Sequence, residues 1–177
     1  MVRAPRLGDA QALAEVWRRS QNFLAPWMPL APEGPPNEAG TRAALVRERR
    51  EWRSGRDYRF VVAARAGDKP LGRINFSHVV RSVFQNSYIG YWIDAEHARQ
   101  GLMTEALELA LDLAFGPLGL HRVQAAIIAR NTASIKLARR LGFRLEGEAK
   151  RYLRIAGHWE DHLLYAMTNE EWGGGGA

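Results

Sequence analysis

Along this chain, stretches whose apolar residues fall three and four apart alternate with short runs that are apolar throughout or at every second position. Leu13, Val16 and Trp17 share one face of a helix predicted over residues 10–19, with Gly8 and Asp9 before it as a cap. Leu107, Leu111, Ala114 and Phe115 do the same for a helix over 101–115, stopped by Gly116, Pro117 and Gly119. A helix is predicted over 38–54, where the sign-alternating run Arg47-Glu48-Arg49-Arg50-Glu51-Trp52-Arg53 has the character of an outer face. Another covers 133–141 and ends at Gly142. Strand patterns occupy 2–6, 58–65, 71–80, 87–94, 123–128, 143–153 and 163–168. Residues 66–70 have a hairpin-turn composition, and a second turn is expected at Gly157. Prolines 26, 29, 32, 35 and 36 make 23–36 a loop. No repeat or interdomain linker interrupts this order. Residues 1–172 therefore read as one domain of mixed α/β (α+β) class, followed by a flexible Gly-rich tail at 173–177.

Composition narrows the chemistry. At 177 residues, 46% of them hydrophobic, the chain can bury a core without covalent staples. It has no cysteine, which excludes disulfides, thiolate metal sites and cysteine nucleophiles. No apolar run approaches the ~20 residues of a membrane span, and no charged-then-apolar leader opens the chain. The expectation is a cytoplasmic protein with no membrane partner. The net charge of +6 is almost entirely arginine, lysine occurring only at 69, 136 and 150. A basic surface suits an anionic cofactor, RNA or a ribonucleoprotein particle. Because the arginines are spread along the chain, the plainer reading is a solvated surface with no specific nucleic-acid partner.

The most informative stretch is the strand Ser-Tyr-Ile-Gly-Tyr-Trp-Ile-Asp at 87–94, which passes through a short polar loop and Gly101 into a helix. A helix start leaves main-chain N–H groups unpaired and carries partial positive charge, which together suit a phosphate. This points to a phosphate-bearing cofactor rather than to a metal or a catalytic triad. His158 and His162 lie four apart, but in an expected hairpin and without His-Glu-x-x-His spacing, so no metal site is predicted. His121 reads as a structural residue at a strand entry.

Taken in order, Gly90-Tyr-Trp-Ile-Asp94, Gly101-Leu-Met-Thr-Glu-Ala106, Leu120-His-Arg-Val123, Asn131-x-x-Ser134 and Leu141-Gly-Phe143 resemble the GNAT superfamily of N-acetyltransferases. Phe84-Gln-Asn86 and the segment from Tyr152 through Trp159 and His162 to Tyr165 are similar to its RimJ/RimL-type branch, which acetylates ribosomal-protein N-termini. The resemblance covers essentially the whole chain. It implies a central mixed, mostly antiparallel twisted sheet, splayed in the middle and flanked by helices. It implies acetyl-CoA as donor, with CoA as product, and a primary amine attacking directly in a ternary complex. The favoured acceptor is the α-amine of a peptide or (ribosomal) protein. The alternatives are a small amine (amino acid, polyamine or aminoglycoside) or a non-catalytic module that senses CoA or docks on ribosomes. A second copy of the chain, as in a homodimer, remains open.

The superfamily's pyrophosphate signature falls on Ala98-Arg-Gln-Gly101-Leu-Met103, with Ala98 replacing the usual Arg or Gln and Met103 a small residue. The resemblance places the acetyl and pantetheine portion against the backbone of Ile93. It places the diphosphate on the amides of Arg99, Gly101, Met103 and Thr104, where a side chain at residue 101 would obstruct close approach. Asn131 would pair with the pantetheine arm, or else cap the following helix. Ser134 would meet the departing thiolate, because the tyrosine many relatives place one turn later is Ala138 here. Asp94, Glu105 and Asp161 are the candidate bases. Phe84, Gln85, Asn86, Tyr152 and Trp159, supported by Tyr165, are the candidate acceptor contacts.

Overall fold

The computed structural model describes residues 1–30 and 36–173. Pro32 and Pro35 of the expected loop, and residues 174–177 of the expected tail, lie outside the described residues. Seven strands form one sheet: β1 (Val2–Arg3), β2 (Tyr58–Ala63), β3 (Pro70–Val80), β4 (Asn86–Ile93), β5 (Arg122–Ile128), β6 (Arg144–Ile155) and β7 (His158–Thr168). Their order is β1-β2-β3-β4-β5-β7-β6, and every neighbouring pair is antiparallel except β4 and β5. A parallel pair needs a crossover. Helix α3 (Leu102–Phe115) supplies it, beside α1 (Ala10–Leu24), α2 (Glu38–Arg53) and α4 (Thr132–Arg140). This is the mixed, mostly antiparallel sheet the sequence implies.

The pleat divides the side chains between two cores. Phe60, Ile74, Phe76, Ile89, Val123 and Tyr165 face α3 and α4, packing on Leu107, Leu111 and Ala138. Each such leucine, fully withdrawn from water, contributes about 1.5–3 kcal/mol. Val61 and Ala63, one residue out of phase, face α1 and α2 with Leu13 and Leu45. Trp17 of α1 meets Trp92 of β4 edge-on at 5.3 Å.

Several elements depart from expectation for identifiable reasons. Helix α1 continues past residue 19 because Ser20 and Leu24 extend its buried face; Ser20 is buried as a hydrogen-bonding group, a role a hydrophobic pattern does not register. Strand β7 begins at His158 and β6 runs to Ile155, leaving only Ala156 and Gly157 in the turn. Both have positive φ, 48° and 86°, the requirement of a two-residue type I′ hairpin. In α2, Glu48 is not on an outer face. It is 5% exposed and paired to Arg73 at 2.6 Å and Arg59 at 3.3 Å on the sheet.

The feature that positions the site is the short contact between β4 and β5. Their register is confined to Asn86↔Arg122, Ser87↔Val123 and Tyr88↔Gln124. Beyond Tyr88, β4 pairs only with β3 as far as Ile93, and β5 only with β7 as far as Ile128. The sheet therefore splays from its middle towards the ends from which α3 and α4 depart.

Candidate active site

The splay leaves one edge of β4 without a partner, and the phase of the ladder shows which groups it carries. Asp94 N–H donates to Leu71 C=O at 2.7 Å, so the facing residues Gly72 and Ile93 form a non-hydrogen-bonded pair. The N–H and C=O of Ile93 therefore point away from β3, into the opening, as do those of Tyr91 and Ile89, two and four residues earlier. At Ser87 the same edge meets β5.

At the upper end of β4, the chain makes a single 3₁₀ turn, Ala95–His97, and enters α3 through two left-handed residues, Arg99 (φ 62°) and Gly101 (φ 81°). Among the described residues, no acceptor is found for the N–H of Arg99, Gln100, Gly101, Leu102 or Met103. Five consecutive amides at the positive end of a 14-residue helix, with no side-chain cap, form an anion cradle. A Cβ on Gly101 would meet nothing within 4 Å, so what glycine serves here is the backbone conformation, and the space before it is open. Met103 keeps its side chain in the core and offers only its amide. Thr104 differs from expectation: its N–H is taken by the Gly101 carbonyl at 2.9 Å, which leaves its hydroxyl as the group on offer.

Asp94 holds this loop. Its side chain is fully buried and accepts from Arg19 (Nε at 3.1 Å), Ser20 Oγ (2.9 Å) and His97 Nδ1 (2.9 Å). Ser20 Oγ in turn accepts from the Ala95 amide at 3.0 Å. Burial pushes the Asp94 pKa up, but these donors outweigh it and hold the carboxyl at about 2. A carboxylate so satisfied takes no proton near neutrality, so Asp94 is a structural anchor and not a base. Asp161 is held below the usual range by the Arg151 amide and the Lys150 ammonium. Glu105 is exposed on the solvent side of α3, away from the face that carries Met103, Ala106 and Leu107.

The other arm supplies Asn131 and Ser134. Asn131 Oδ1 accepts from Ser134 N–H at 3.1 Å, the helix cap that was the plainer of its two readings, while its Nδ2 remains without a partner among the described residues. Ser134 Oγ lies 2.5 Å from the hydroxyl of Tyr91, a bond that crosses from β4 to the first turn of α4. Sequence reasoning missed Tyr91. The available signal was its place in the alternation of β4, which puts a hydroxyl on the core face between Ile89 and Ile93.

The opposite face of the sheet carries Tyr88, Tyr152 and His162. Tyr152 and His162 meet at 5.6 Å between ring centroids, and the neighbouring Tyr88 hydroxyl, with burial, pushes the Tyr152 phenol pKa up. His162 is 2% exposed and its Nδ1 faces the Glu160 carbonyl at 2.9 Å. A strap after α1 walls this side. Met28 C=O accepts from Ala156 N–H at 3.0 Å, and the Arg130 guanidinium lies 4.8 Å from the Trp27 ring centroid while bonding Pro26 C=O and Glu160. Trp159 is exposed on the same hairpin. Tyr165 is not part of this wall; it is buried in the α3/α4 core with its hydroxyl on Arg139.

Phe84, Gln85 and Asn86 are not brought to the opening. Phe84 and Gln85 precede the β4–β5 contact and Asn86 begins it, paired with Arg122, while Gln85 C=O accepts from the His121 and Arg122 amides, which ties that turn to the start of β5. Seven residues of strand, about 23 Å, separate Asn86 from Ile93. A cavity of about 470 Å³ at this lower end is lined by Gln85, Phe115, His121 and Asn169, far from the amide cradle.

The unpaired amides, the open space before Gly101, the outward edge of Ile93 and the free Asn131 Nδ2 fit a diphosphate with an amide-bearing arm. The comparisons agree. The family model described as acetyltransferase (GNAT) domain matches residues 1–144. The [ribosomal protein uS5]-alanine N-acetyltransferase of Escherichia coli (strain K12) is 36% identical over 172 residues, covering 97% of this chain and 89% of that one. Among solved structures, the ribosomal-protein-S5-alanine acetyltransferase of Vibrio fischeri superposes with a TM-score of 0.91 at 34% identity, covering 97% and 93% of the two chains. Mycobacterium smegmatis RimJ, solved in complex with CoA-disulfide, gives 0.91 at 32%, covering 97% and 83%. The chain belongs to the GNAT acetyltransferase family and is an acetyl-CoA-dependent N-acetyltransferase.

Proposed function

We propose that the acceptor is the α-amine of a peptide or protein N-terminus, that of a ribosomal protein first among them, attacking directly while acetyl-CoA is held. The observation that carries this reading is the chemistry of the acceptor face. Its walls are Tyr88, Tyr152, His162 and Trp27, and the carboxylates beside them are already spent, Glu160 on Arg130 and Asp161 on Lys150 and Arg151. A polyamine or an aminoglycoside brings several positive charges and needs unpaired acids to receive them. A neutral or singly charged N-terminus does not. The likeness to the uS5-alanine enzyme over 97% of the chain points the same way.

The proton ledger is consistent with this. An α-amine has a reference pKa of about 7.7–8.0, so an appreciable fraction is neutral near pH 7.5, whereas a lysine at about 10.4 would need a strong base. Asp94 and Asp161 are held below the usual carboxylate range by their donors, and Glu105 faces solvent on the far side of α3. Acetyl-CoA supplies an activated acyl group and a thiolate leaving group. The amine nitrogen bonds to the acetyl carbon as the carbon–sulfur bond breaks. One amine proton passes to solvent, and the sulfur departs as a thiolate that is protonated afterwards. The protein aligns these partners. The cradle at Arg99–Met103 would hold the diphosphate, the Ile93 edge would pair with the arm and offer its N–H to the acetyl oxygen, and Ser134 would serve the leaving sulfur. Release of free thiol from acetyl-CoA with peptides beginning Ala, Ser or Met tests the proposal. Turnover with these and not with their N-terminally blocked forms is expected. Turnover confined to spermidine or an aminoglycoside would replace the acceptor.

A further inference from the structure

Within the same functional reading, we infer that Tyr91 positions Ser134, donating its phenolic proton to Ser134 Oγ so that the serine O–H is free to stabilise the departing coenzyme thiolate. The geometry begins with the 2.5 Å separation of the two oxygens. Either oxygen could donate, and the surroundings decide between them. Tyr91 packs among the apolar residues of the α3/α4 core, and its hydroxyl has no other partner among the described residues. If Ser134 were the donor, the phenolic hydrogen would be left buried without an acceptor, which is the costlier arrangement. With Tyr91 as donor, both hydrogens are used, one within the pair and one towards the opening. Burial also pushes the Tyr91 pKa up, so the phenol keeps its proton over the working pH range.

The donated bond polarises the serine. A hydroxyl that accepts a hydrogen bond is a stronger donor in turn, and the strengthening is larger away from water. It also fixes the serine rotor. Ser134 stands on the first turn of α4, with its amide capped by Asn131 at 3.1 Å, so its backbone is fixed and only the side-chain torsion is free. A bond from the other arm of the splay removes that freedom. The position one helical turn after Ser134 is Ala138, which carries no hydroxyl and is 2% exposed. Thus the phenol reaches the site from the strand rather than from the helix, and acts through the serine.

Tyr91→Phe keeps the ring and removes only the hydroxyl, and Ser134→Ala removes its partner. The inference expects Y91F to lower kcat about tenfold or more, with the KM for acetyl-CoA, the Kd for CoA and the melting temperature little changed. It expects the Y91F/S134A double variant to be no slower than S134A alone, because both changes remove one unit. A readout independent of turnover is the thiol pKa of bound CoA, followed by its ultraviolet thiolate absorbance. Y91F and S134A should raise it by similar amounts relative to the unaltered protein. A Y91F enzyme within twofold of the parent kcat, losses that multiply in the double variant, or a bound-thiol pKa indifferent to Tyr91 would each overturn the inference. If the parent protein turned over no amine, the acceptor reading would fail, and the bound-thiol titration would still decide the role of Tyr91.

Discussion

The two ends of β4 use the same backbone for opposite purposes. At the lower end, Asn86 and Tyr88 are paired on both sides, to β3 and to β5, Ser87 is paired to β5, and the preceding turn is tied to β5 through the Gln85 carbonyl. At the upper end, the β3 side stays paired while the other edge, from Ile89 to Ile93, faces an opening. The loop beyond it then presents five more unpaired amides. The lower end has a cavity and exposed apolar side chains, and its strands are bonded to one another, while the Asn86 side chain, 1% exposed, has no partner for Oδ1 or Nδ2 among the described residues. The upper end has an excess of main-chain donors. Consecutive main-chain N–H groups without acceptors at the positive end of a helix favour an anion, so the run at 99–103 is the candidate place for a phosphate-bearing ligand.

That contrast can be broken experimentally, and the largest effect is expected at the cradle. Gly101→Asp places a carboxylate before the free amides and a side chain at φ 81°, where L-residues are strained. The dissociation constant for CoA should rise about 100-fold in titration calorimetry, roughly 3 kcal/mol of lost charge complementarity. An unchanged affinity would remove the cradle from the account.

The anchor behind the cradle comes next. The Asp94 carboxyl sits at about 2 when folded, below its ordinary value, so its stabilisation is complete above about pH 4 and is lost as pH falls towards 2. It amounts to about 2 kcal/mol. Urea denaturation should show Asp94→Asn less stable by about that much at pH 7, with the difference vanishing near pH 2. Because Asp94 is not a base, the rise of rate with pH that follows the neutral fraction of the amine should survive in the variant.

Smaller effects sharpen the comparison. Asn131→Ala removes the cap of α4, worth about 1 kcal/mol, together with the free Nδ2. A fall in melting temperature should accompany a severalfold rise in the KM for acetyl-CoA. Phe84→Ala at the closed end should change the acceptor KM less than about twofold, within the range of surface substitutions.

Much of this was legible in the sequence. The strand, glycine and helix at 87–115 announced the anion site, and Gly101, Arg99 and Met103 lie in the cradle. What the sequence concealed depends on which neighbour each group meets. Asp94 looks like a candidate base until Arg19, Ser20 and His97 are seen to surround it, and those partners come from α1 as well as from the adjoining turn. Phe84, Gln85 and Asn86 sit near the site in sequence but at the wrong end of a strand whose direction sets a separation of about 23 Å. Tyr91 is one aromatic residue among several in β4. Only the crossing of α4 over the opening gives its hydroxyl a partner. His162 stands out in the sequence for its spacing from His158, but the fold buries it beside Tyr152.

The central claim is that the amides of the open end, and not the cavity of the closed end, receive the cofactor. It is tested most directly by amide NMR during titration with CoA. Large shifts at Ile93 and at Arg99 through Met103, with little change at Ser87, Tyr88, His121 and Asn169, are predicted. Binding that leaves the 99–103 amides unmoved, or that shifts the closed end instead, would contradict the account.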